Sequence, residues 1–179
     1  VTGVQTCALP IWYFVETFRA DKLEAFLGFK LNFGQDNESK SSRGVLRGLH
    51  YQLAPHAQSK LVRVIQGRVL DVAVDIRKNS PTFGQHVAVE LSAENKKQLL
   101  IPRGFAHGFV VLEDDTIFAY KVDNYYSPQC DRGIAFDDKN LNIDWILEKE
   151  ELNLSAKDKV QPLLENTNDL FEYGVDYYV

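Results

Sequence analysis

Three residue types that can move protons occur on segments with strand-like alternation. The stretch "GVLRGLHYQ", residues 44–52, carries His50, while Lys60 opens "KLVRVIQ" and Tyr120 lies in "TIFAYKV". Histidine and tyrosine are common general acids and bases, and a lysine can stabilise negative charge that develops on an oxygen. If these side chains line one interior, they form a set suited to proton transfer.

The direction of Lys60 follows from strand alternation. In a strand, Lys60 shares one face with Val62 and Val64. If the valine face is the interior, the lysine is buried and needs an anionic partner or ligand. The alternative is a strand-end lysine that reaches solvent. By the same rule two aromatic sets each share a face: Phe118 with Tyr120, and Phe105 with His107 and Phe109.

Strand alternation places two residues of the segment 44–52 on opposite faces. In a regular strand His50 points with Gln52, whereas Arg47 points to the opposite face. Both can reach one pocket only if Gly48 bends or bulges the strand.

The histidines also raise a metal-binding alternative. The chain has four, His50, His56, His86 and His107, and "HYQLAPHAQ" resembles part of a metal-binding barrel motif. Gln58, however, stands where a carboxylate ligand is wanted. We therefore expect no metal, and a third interpretation is that these are ordinary hydrogen-bonded barrel residues.

The elements that position these residues are mostly strands. Residues 59–77, 86–92 and 104–122 alternate in hydropathy; Gly67 marks a turn or sharp bend in the first, and "EDD" a hairpin turn in the last. Short strands at close spacing predict a sandwich or closed barrel.

Helical signals lie near both ends of the chain. One covers residues 19–29, and the other follows Ser155 in "SAKDKVQPLLE", where Ser155 and Asp158 occupy N-cap and N3 positions. No repeat, linker or domain boundary is evident, so we expect a single domain over residues 1–179.

Composition limits the possible partners and location. The net charge of −5 is spread along the chain, which argues against nucleic acid as a partner. Cys7 and Cys130 are too few for a disulfide framework, which favours a reducing cytoplasm, and no apolar run is long enough to span a membrane.

A series of segments closely resembles the dTDP-4-dehydrorhamnose 3,5-epimerase family. The match runs from about Tyr13 to about Leu164, in the family's order and spacing, and comprises "FGQDNESKSSRGVLRGLHYQ", "QSKLVRVIQGRVLDVAVDIRKNSPTFG", "IPRGFAHGFVVL", "YKVDNYYSP", "GIAFDD" and "LNIDW". The resemblance implies a cupin-type jelly-roll β-barrel, all-β dominated with short helices near both ends. It also implies a homodimer and catalysis on a dTDP-4-keto-6-deoxyhexose without metal or cofactor.

The resemblance further implies roles for individual residues. His50 matches the catalytic base, Asp158 the acid that orients it, Lys60 the lysine near the keto oxygen, and Tyr120 the general acid. Tyr126 matches the aromatic that stacks on thymine. The remaining matches are positions that contact the nucleotide sugar: Phe14, Glu16, Gln35, Asn37, Arg47, His107, Asp131 and Lys157. Asp131 is a glutamate in many relatives.

The chain departs from the family pattern just before Phe14. An Asp-x-Arg-Gly run, whose arginine helps to hold the diphosphate, is expected where this chain reads "LPIW", with Ile11 at the arginine position. The chain also lacks methionine. We therefore expect that residues 1–12 are not authentic family sequence.

Three other functions remain open from the sequence. A single-site epimerase or ketoisomerase on a related dTDP-keto sugar would use the same side chains. A nucleotide-sugar-binding barrel without catalysis would not need the His50, Asp158 and Tyr120 set. A metal-dependent cupin oxygenase is disfavoured by Gln58.

Overall fold

The computed structural model describes residues 4–5 and 13–178, and the chain divides into two compact units, Val1–Phe33 and Gly34–Val179. In the first unit, strand β1 (Val4–Gln5) pairs antiparallel with β2 (Phe14–Val15), and helix α1 (Ala20–Leu27) follows. The helix predicted within residues 19–29 is confirmed, and it ends at Gly28, whose left-handed conformation is typical of a helix C-terminus. The expectation of a single domain over residues 1–179 stays a prediction, and the expectation about residues 1–12 lies largely outside the described residues.

The second unit is built from two main antiparallel sheets. Its strands, in chain order, are β3 (Gln35–Ser41), β4 (Val45–Gln52), β5 (Lys60–Gln66), β6 (Arg68–Asp75), β7 (Arg77–Lys78), β8 (His86–Ser92), β9 (Gln98–Ile101), β10 (Phe105–Val111), β11 (Thr116–Val122), β12 (Asp131–Gly133), β13 (Asn153–Leu154) and β14 (Phe171–Glu172). One sheet has the order β12-β4-β10-β6-β8, with β13 parallel to β4, and the other has the order β3-β11-β5-β9. A short parallel pair joins β14 to β7.

The two main sheets enclose an apolar interior. Its members come from both sheets: Val62, Val64, Val69, Ala73, Leu91, Ile101, Phe109, Val111 and Phe118. The valine face of β5 is therefore inward, which decides between the two alternatives that the sequence left open. This arrangement is the predicted cupin-type jelly-roll barrel.

The larger sheet is buried on its outer face as well. Alternate residues of β6, such as Val72 and Val74, belong to a second apolar cluster that includes Trp145, Leu164 and Phe171 from the C-terminal part of the chain. Burial on both faces explains why apolar residues of β6 point to both sides of the sheet rather than occurring only at every second position.

One predicted connection is wrong. The residues "EDD" do separate β10 from β11, but these strands do not form a hairpin, because β10 pairs with β4 and β6 whereas β11 pairs with β3 and β5. Gly67 likewise separates β5 from β6 in different sheets, with a φ of 77°. Both turns carry the chain from one sheet of the barrel to the other.

The C-terminal helical signal gives only short 3₁₀ turns. They span Asp158–Val160 and Leu164–Asn166, and Pro162 lies between them. A proline in that position removes a backbone donor and prevents one continuous α-helix. No helix of the described residues is long and apolar enough to cross a membrane.

The bulge required at Gly48 is present. His107 on β10 faces His50 on β4, while Phe109 faces Arg47, so three steps on β4 correspond to two on β10. Gly48 has a φ of 136°, and a Cβ there would lie 2.5 Å from the Cα of Gly108. Directly opposed residues share a face, and the bulge therefore turns His50 and the exposed Arg47 to the same face of the sheet.

Candidate active site

His50 contacts a buried carboxylate. Its Nε2 lies 2.5 Å from Oδ1 of Asp158, and the two side chains are 28% and 2% exposed, respectively. A carboxylate can only accept, so Nε2 carries the proton and Nδ1 is left as a proton acceptor. The pair is thus oriented as a base with its supporting acid.

Asp158 is held in its ionised form. Ser155 Oγ donates to its Oδ2 at 2.7 Å and accepts from its backbone N–H at 3.1 Å. Burial pushes the pKa of Asp158 up, but the hydrogen bonds from His50 and Ser155 outweigh it, and the pKa lies below its usual value. The predicted N-cap and N3 positions are wrong, because the 3₁₀ turn begins at Asp158 with Lys157 as its N-cap, but Ser155 still fixes Asp158 through these two hydrogen bonds.

Lys60 lies on the interior face of β5 with Val62 and makes no ion pair or hydrogen bond among the described residues. Burial lowers its pKa to about 8, and the nearby carboxylates of Asp71 and Asp131 only partly oppose this shift. By accessible area Lys60 is only half-buried, but an ammonium group withdrawn from water without a hydrogen-bond acceptor is still costly. Its position is explained most directly by an oxygen of a ligand.

His107 contacts a second buried carboxylate, which the sequence reasoning missed. Its Nε2 lies 3.0 Å from both Oδ atoms of Asp71, which is 0% exposed. Burial lowers the pKa of His107, with Asp71 opposing the shift. A signal for Asp71 was available, since it shares the inward face of β6 with Val69 and Ala73, where an ionised group needs a partner.

Tyr120 lies on β11 of the smaller sheet and faces the interior. It packs against the interior cluster beside Phe118, with ring centroids 6.0 Å apart. Burial raises the pKa of Tyr120, and the positive charge of Arg47 partly opposes the shift. The phenol is therefore protonated near neutral pH and can act as a proton donor.

Three other predicted residues form one cluster at the start of β12. Tyr126 donates its hydroxyl to Oδ2 of Asp131 at 3.0 Å, and Lys157 forms an ion pair with the same oxygen. The Tyr126 side chain remains exposed, with a residue exposure of 61%. Asp131 also acts electrostatically on Lys60, which connects this cluster to the interior.

The remaining residues predicted to contact the nucleotide sugar lie partly in the second unit and partly in the first. Gln35 Nε2 donates to Oδ1 of Asn37 at 2.8 Å, and Asn37 lies opposite Tyr120 on the neighbouring strand. Phe14 and Glu16 belong to the first unit, where Glu16 pairs with Lys22 at 3.7 Å. Their proposed contacts with a nucleotide sugar stay predictions.

The histidines do not assemble into a metal site. Within residues 4–5 and 13–178 no group of three or more His, Cys, Asp or Glu side chains could hold a metal ion. Gln58 donates its amide N–H to the carbonyl of Asn124 at 2.7 Å, and His86 lies at the edge strand β8. His50 and His107 each face a carboxylate instead.

Comparisons with known proteins show the family of the chain. A family model described as dTDP-4-dehydrorhamnose 3,5-epimerase matches residues 12–166. The enzyme of that name from Shigella flexneri is 60% identical over 133 residues, covering 74% of this chain and 74% of that protein.

Two solved structures extend the comparison. A dTDP-6-deoxy-D-glucose-3,5-epimerase from Legionella pneumophila, in complex with dTDP-4-keto-L-rhamnose, is 46% identical with a TM-score of 0.90 and covers 97% of this chain and 92% of its own. A 3'-monoepimerase from Streptomyces bikiniensis, in complex with dTDP-quinovose, is 30% identical with a TM-score of 0.88 and covers 96% and 87%. The chain belongs to the dTDP-4-dehydrorhamnose 3,5-epimerase family.

Proposed function

We propose that this protein inverts C3 and C5 of dTDP-4-dehydro-6-deoxy-D-glucose to give dTDP-4-dehydro-L-rhamnose, in dTDP-L-rhamnose synthesis, with His50 as the base. Both carbons neighbour the C4 ketone, so their protons are acidic enough to remove when the enolate is stabilised. The observation that carries the proposal is the contact between His50 and the buried, ionised Asp158.

His50 removes the proton with Nδ1. The Nε2 proton stays directed at Asp158, whose negative charge favours the imidazolium that forms during the reaction. Since Asp158 is almost fully buried, water does not screen this interaction effectively.

Lys60 and Tyr120 complete the reaction. Lys60 donates to the C4 oxygen as negative charge develops there, a preorganised contribution of typically a few kcal/mol. Tyr120, which is protonated because burial raises its pKa, returns a proton to carbon from the face opposite His50. Delivery from the opposite face produces inversion.

The nucleotide half binds outside the reacting centre. Tyr126 stacks on thymine, since its ring is exposed while its hydroxyl is fixed by Asp131. Arg47 and Lys157 supply positive charge for the diphosphate despite the acidic net charge of the chain. The remaining proposed contacts are those of Phe14, Glu16, Gln35, Asn37, His107 and Asp131.

A single-site epimerase is the second candidate. The 3'-monoepimerase from Streptomyces bikiniensis shares the fold, so the fold alone does not decide how many carbons react. Which carbon loses its proton depends on how the sugar ring is seated between His50 and Tyr120.

Deuterium incorporation separates these functions. We expect protein incubated with dTDP-4-dehydro-6-deoxy-D-glucose in heavy water to introduce deuterium at both C3 and C5, also after dialysis against EDTA. Deuterium at one carbon only would identify the single-site enzyme. No deuterium would favour the binding barrel, and a loss on dialysis that one divalent ion restores would favour a metal enzyme.

The protein is further proposed to act as a homodimer in the cytoplasm. The dimer is supported by the family resemblance and by edge strand β8, where Val87 is 55% exposed. The cytoplasmic location is supported by the presence of only two cysteines. Sedimentation equilibrium should give twice the chain mass of 20.4 kDa. A single-chain mass at micromolar concentration would contradict the dimer.

A further inference from the structure

Gln52 is a buried polar residue for which the proposed mechanism has no use. It ends strand β4, two residues after His50, and is 5% exposed. A buried amide is costly unless its hydrogen-bonding groups are satisfied. The partners of this amide therefore indicate what the side chain does.

The amide of Gln52 holds the backbone on both sides of Tyr126. Its Oε1 accepts from the N–H of Ser127 at 2.7 Å, and its Nε2 donates to the carbonyl of Tyr125 at 3.2 Å. Nε2 also donates to the carbonyl of His56 at 2.7 Å. One carboxamide thus joins the end of β4 to two loops, residues 53–59 and 123–130.

The hydroxyl end of Tyr126 is fixed from the same place. Asp131, which accepts its hydroxyl at 3.0 Å, lies directly opposite Gln52 in the pairing of β12 with β4. Tyr126 is consequently held at its backbone by Gln52 and at its hydroxyl by Asp131, while its ring stays exposed. An aromatic ring fixed in this way loses little conformational entropy when a flat ligand stacks on it.

We propose that Gln52 is a positioning residue that fixes Tyr126 for the nucleobase. This inference rests on the proposed function, in which Tyr126 stacks on thymine. Gln52 then sets the affinity for the base half of the substrate without touching it, and leaves the proton-transfer step unchanged.

The chemistry of the amide makes the proposal testable by side chains of similar size. Gln52→Glu keeps an acceptor for Ser127 but cannot donate to the carbonyls of Tyr125 and His56. Gln52→Met removes all three contacts and keeps the length of the side chain. Gln58→Met is the matched control, because it deletes one hydrogen bond to Asn124 in the same loop without touching the residues that flank Tyr126.

The expected result is a selective loss of base affinity. Tyr126→Ala should weaken dTDP binding roughly 5- to 150-fold, the usual range for base stacking. Gln52→Met and Gln52→Glu should each weaken it at least about 5-fold, whereas Gln58→Met should change it less than about 2-fold. The affinity for inorganic pyrophosphate, which has no base, should stay within about 2-fold of the wild-type value in every variant. In both Gln52 variants kcat should also stay within about 2-fold of the wild-type value.

A double variant shows whether Gln52 acts through Tyr126. If it does, Gln52→Met combined with Tyr126→Ala binds dTDP no more weakly than Tyr126→Ala alone. Fold losses that multiply, an equal loss in Gln58→Met, or an equal loss for pyrophosphate would each overturn the inference. If Gln52→Met does not fold, the Gln52→Glu variant carries the same comparison.

The stacking role of Tyr126 and the positioning role of Gln52 can be tested separately. If Tyr126→Ala leaves dTDP affinity unchanged, the stacking role is wrong, and the inference about Gln52 falls with it. If Tyr126→Ala weakens binding but neither Gln52 variant does, only the role of Gln52 is wrong.

Discussion

His50 and His107 lie opposite each other on the adjacent strands β4 and β10, and each contacts its own buried carboxylate, Asp158 or Asp71. The two pairs differ in access, because the side chain of His50 is 28% exposed and that of His107 only 7%. His50 is therefore the more accessible imidazole, as its proposed role as the base requires, while the Asp71 pair places buried negative charge near Lys60.

Asp71 should control the pH range in which Lys60 is charged. Burial lowers the pKa of Lys60 to about 8, and Asp71 acts in the opposite direction. Because catalysis needs the cationic form, kcat/KM of the wild type should fall as pH rises through about 8. In Asp71→Asn the pKa of Lys60 drops further, and the fall should begin at lower pH. A pH profile that is unchanged in this variant would contradict the coupling of Asp71 to Lys60.

Lys60→Met should lower kcat roughly 10²- to 10³-fold and stabilise the fold. Burial shifts the pKa of Lys60 from 10.5 to about 8, which corresponds to a cost of roughly 3 kcal/mol when the lysine is charged. Since the folded-state pKa is the lower one, wild-type stability rises as pH rises from about 8 to 10.5. Urea unfolding should thus give the variant a larger free energy of unfolding than the wild type at pH 7. The difference between the two proteins should narrow at high pH. A less stable variant at pH 7 would mean that Lys60 serves the fold.

The sequence predicted the strands well because alternation is a local property. The alternation of β5 and the limits of β8 follow from residue types within each segment, whereas the fold was needed to show which face of β5 is inward. The hairpin at "EDD" was wrong since turn residues show where a strand ends but not which strand it pairs with. From the sequence, a bulge at Gly48 was only a requirement for Arg47 and His50 to reach one pocket. The pairing of β4 with β10 was needed to establish that the bulge exists.

The candidate site was accessible from the sequence only in part. Residue type and strand alternation singled out His50, Lys60 and Tyr120, and the family resemblance gave them roles. The partner of His107 had no motif and was overlooked, although Asp71 stood out on an apolar strand. The contacts of Gln52 join residues up to 75 positions apart in the chain. No local pattern encodes such a contact, so it required the fold.

Substitutions of Tyr120 and Tyr126 should affect different parameters, turnover for Tyr120 and dTDP affinity for Tyr126. Tyr120→Phe removes only the hydroxyl, and turnover should fall roughly 10²-fold or more because the proton donor is lost, with affinity preserved. Tyr126→Ala should weaken dTDP binding by about 1–3 kcal/mol and leave the chemical step intact. Steady-state kinetics and calorimetry with dTDP measure the two effects, and an exchange of the phenotypes would reverse the assigned roles.

An arginine at position 11 should strengthen diphosphate binding. The family resemblance implies an arginine where this chain has Ile11, which lies outside the described residues. A charge-assisted contact to phosphate contributes about 1.5–3 kcal/mol. Ile11→Arg should therefore lower the Kd for dTDP by roughly 10-fold or more, with Ile11→Gln as an uncharged control. Equal affinities for Ile11, Arg and Gln at this position would show that the arginine is dispensable here or that Lys157 covers its site.

The most direct test of the dyad is deuterium exchange from heavy water into C3 and C5 in three proteins: wild type, His50→Ala and Asp158→Asn. We expect no exchange above background in His50→Ala. In Asp158→Asn, which keeps the shape but loses the charge that supports the imidazolium, we expect a rate roughly 10²- to 10⁴-fold below wild type. The affinity for dTDP should remain close to that of the wild type in both variants, as a control for folding. Exchange at the wild-type rate in His50→Ala would contradict the assignment of His50 as the base.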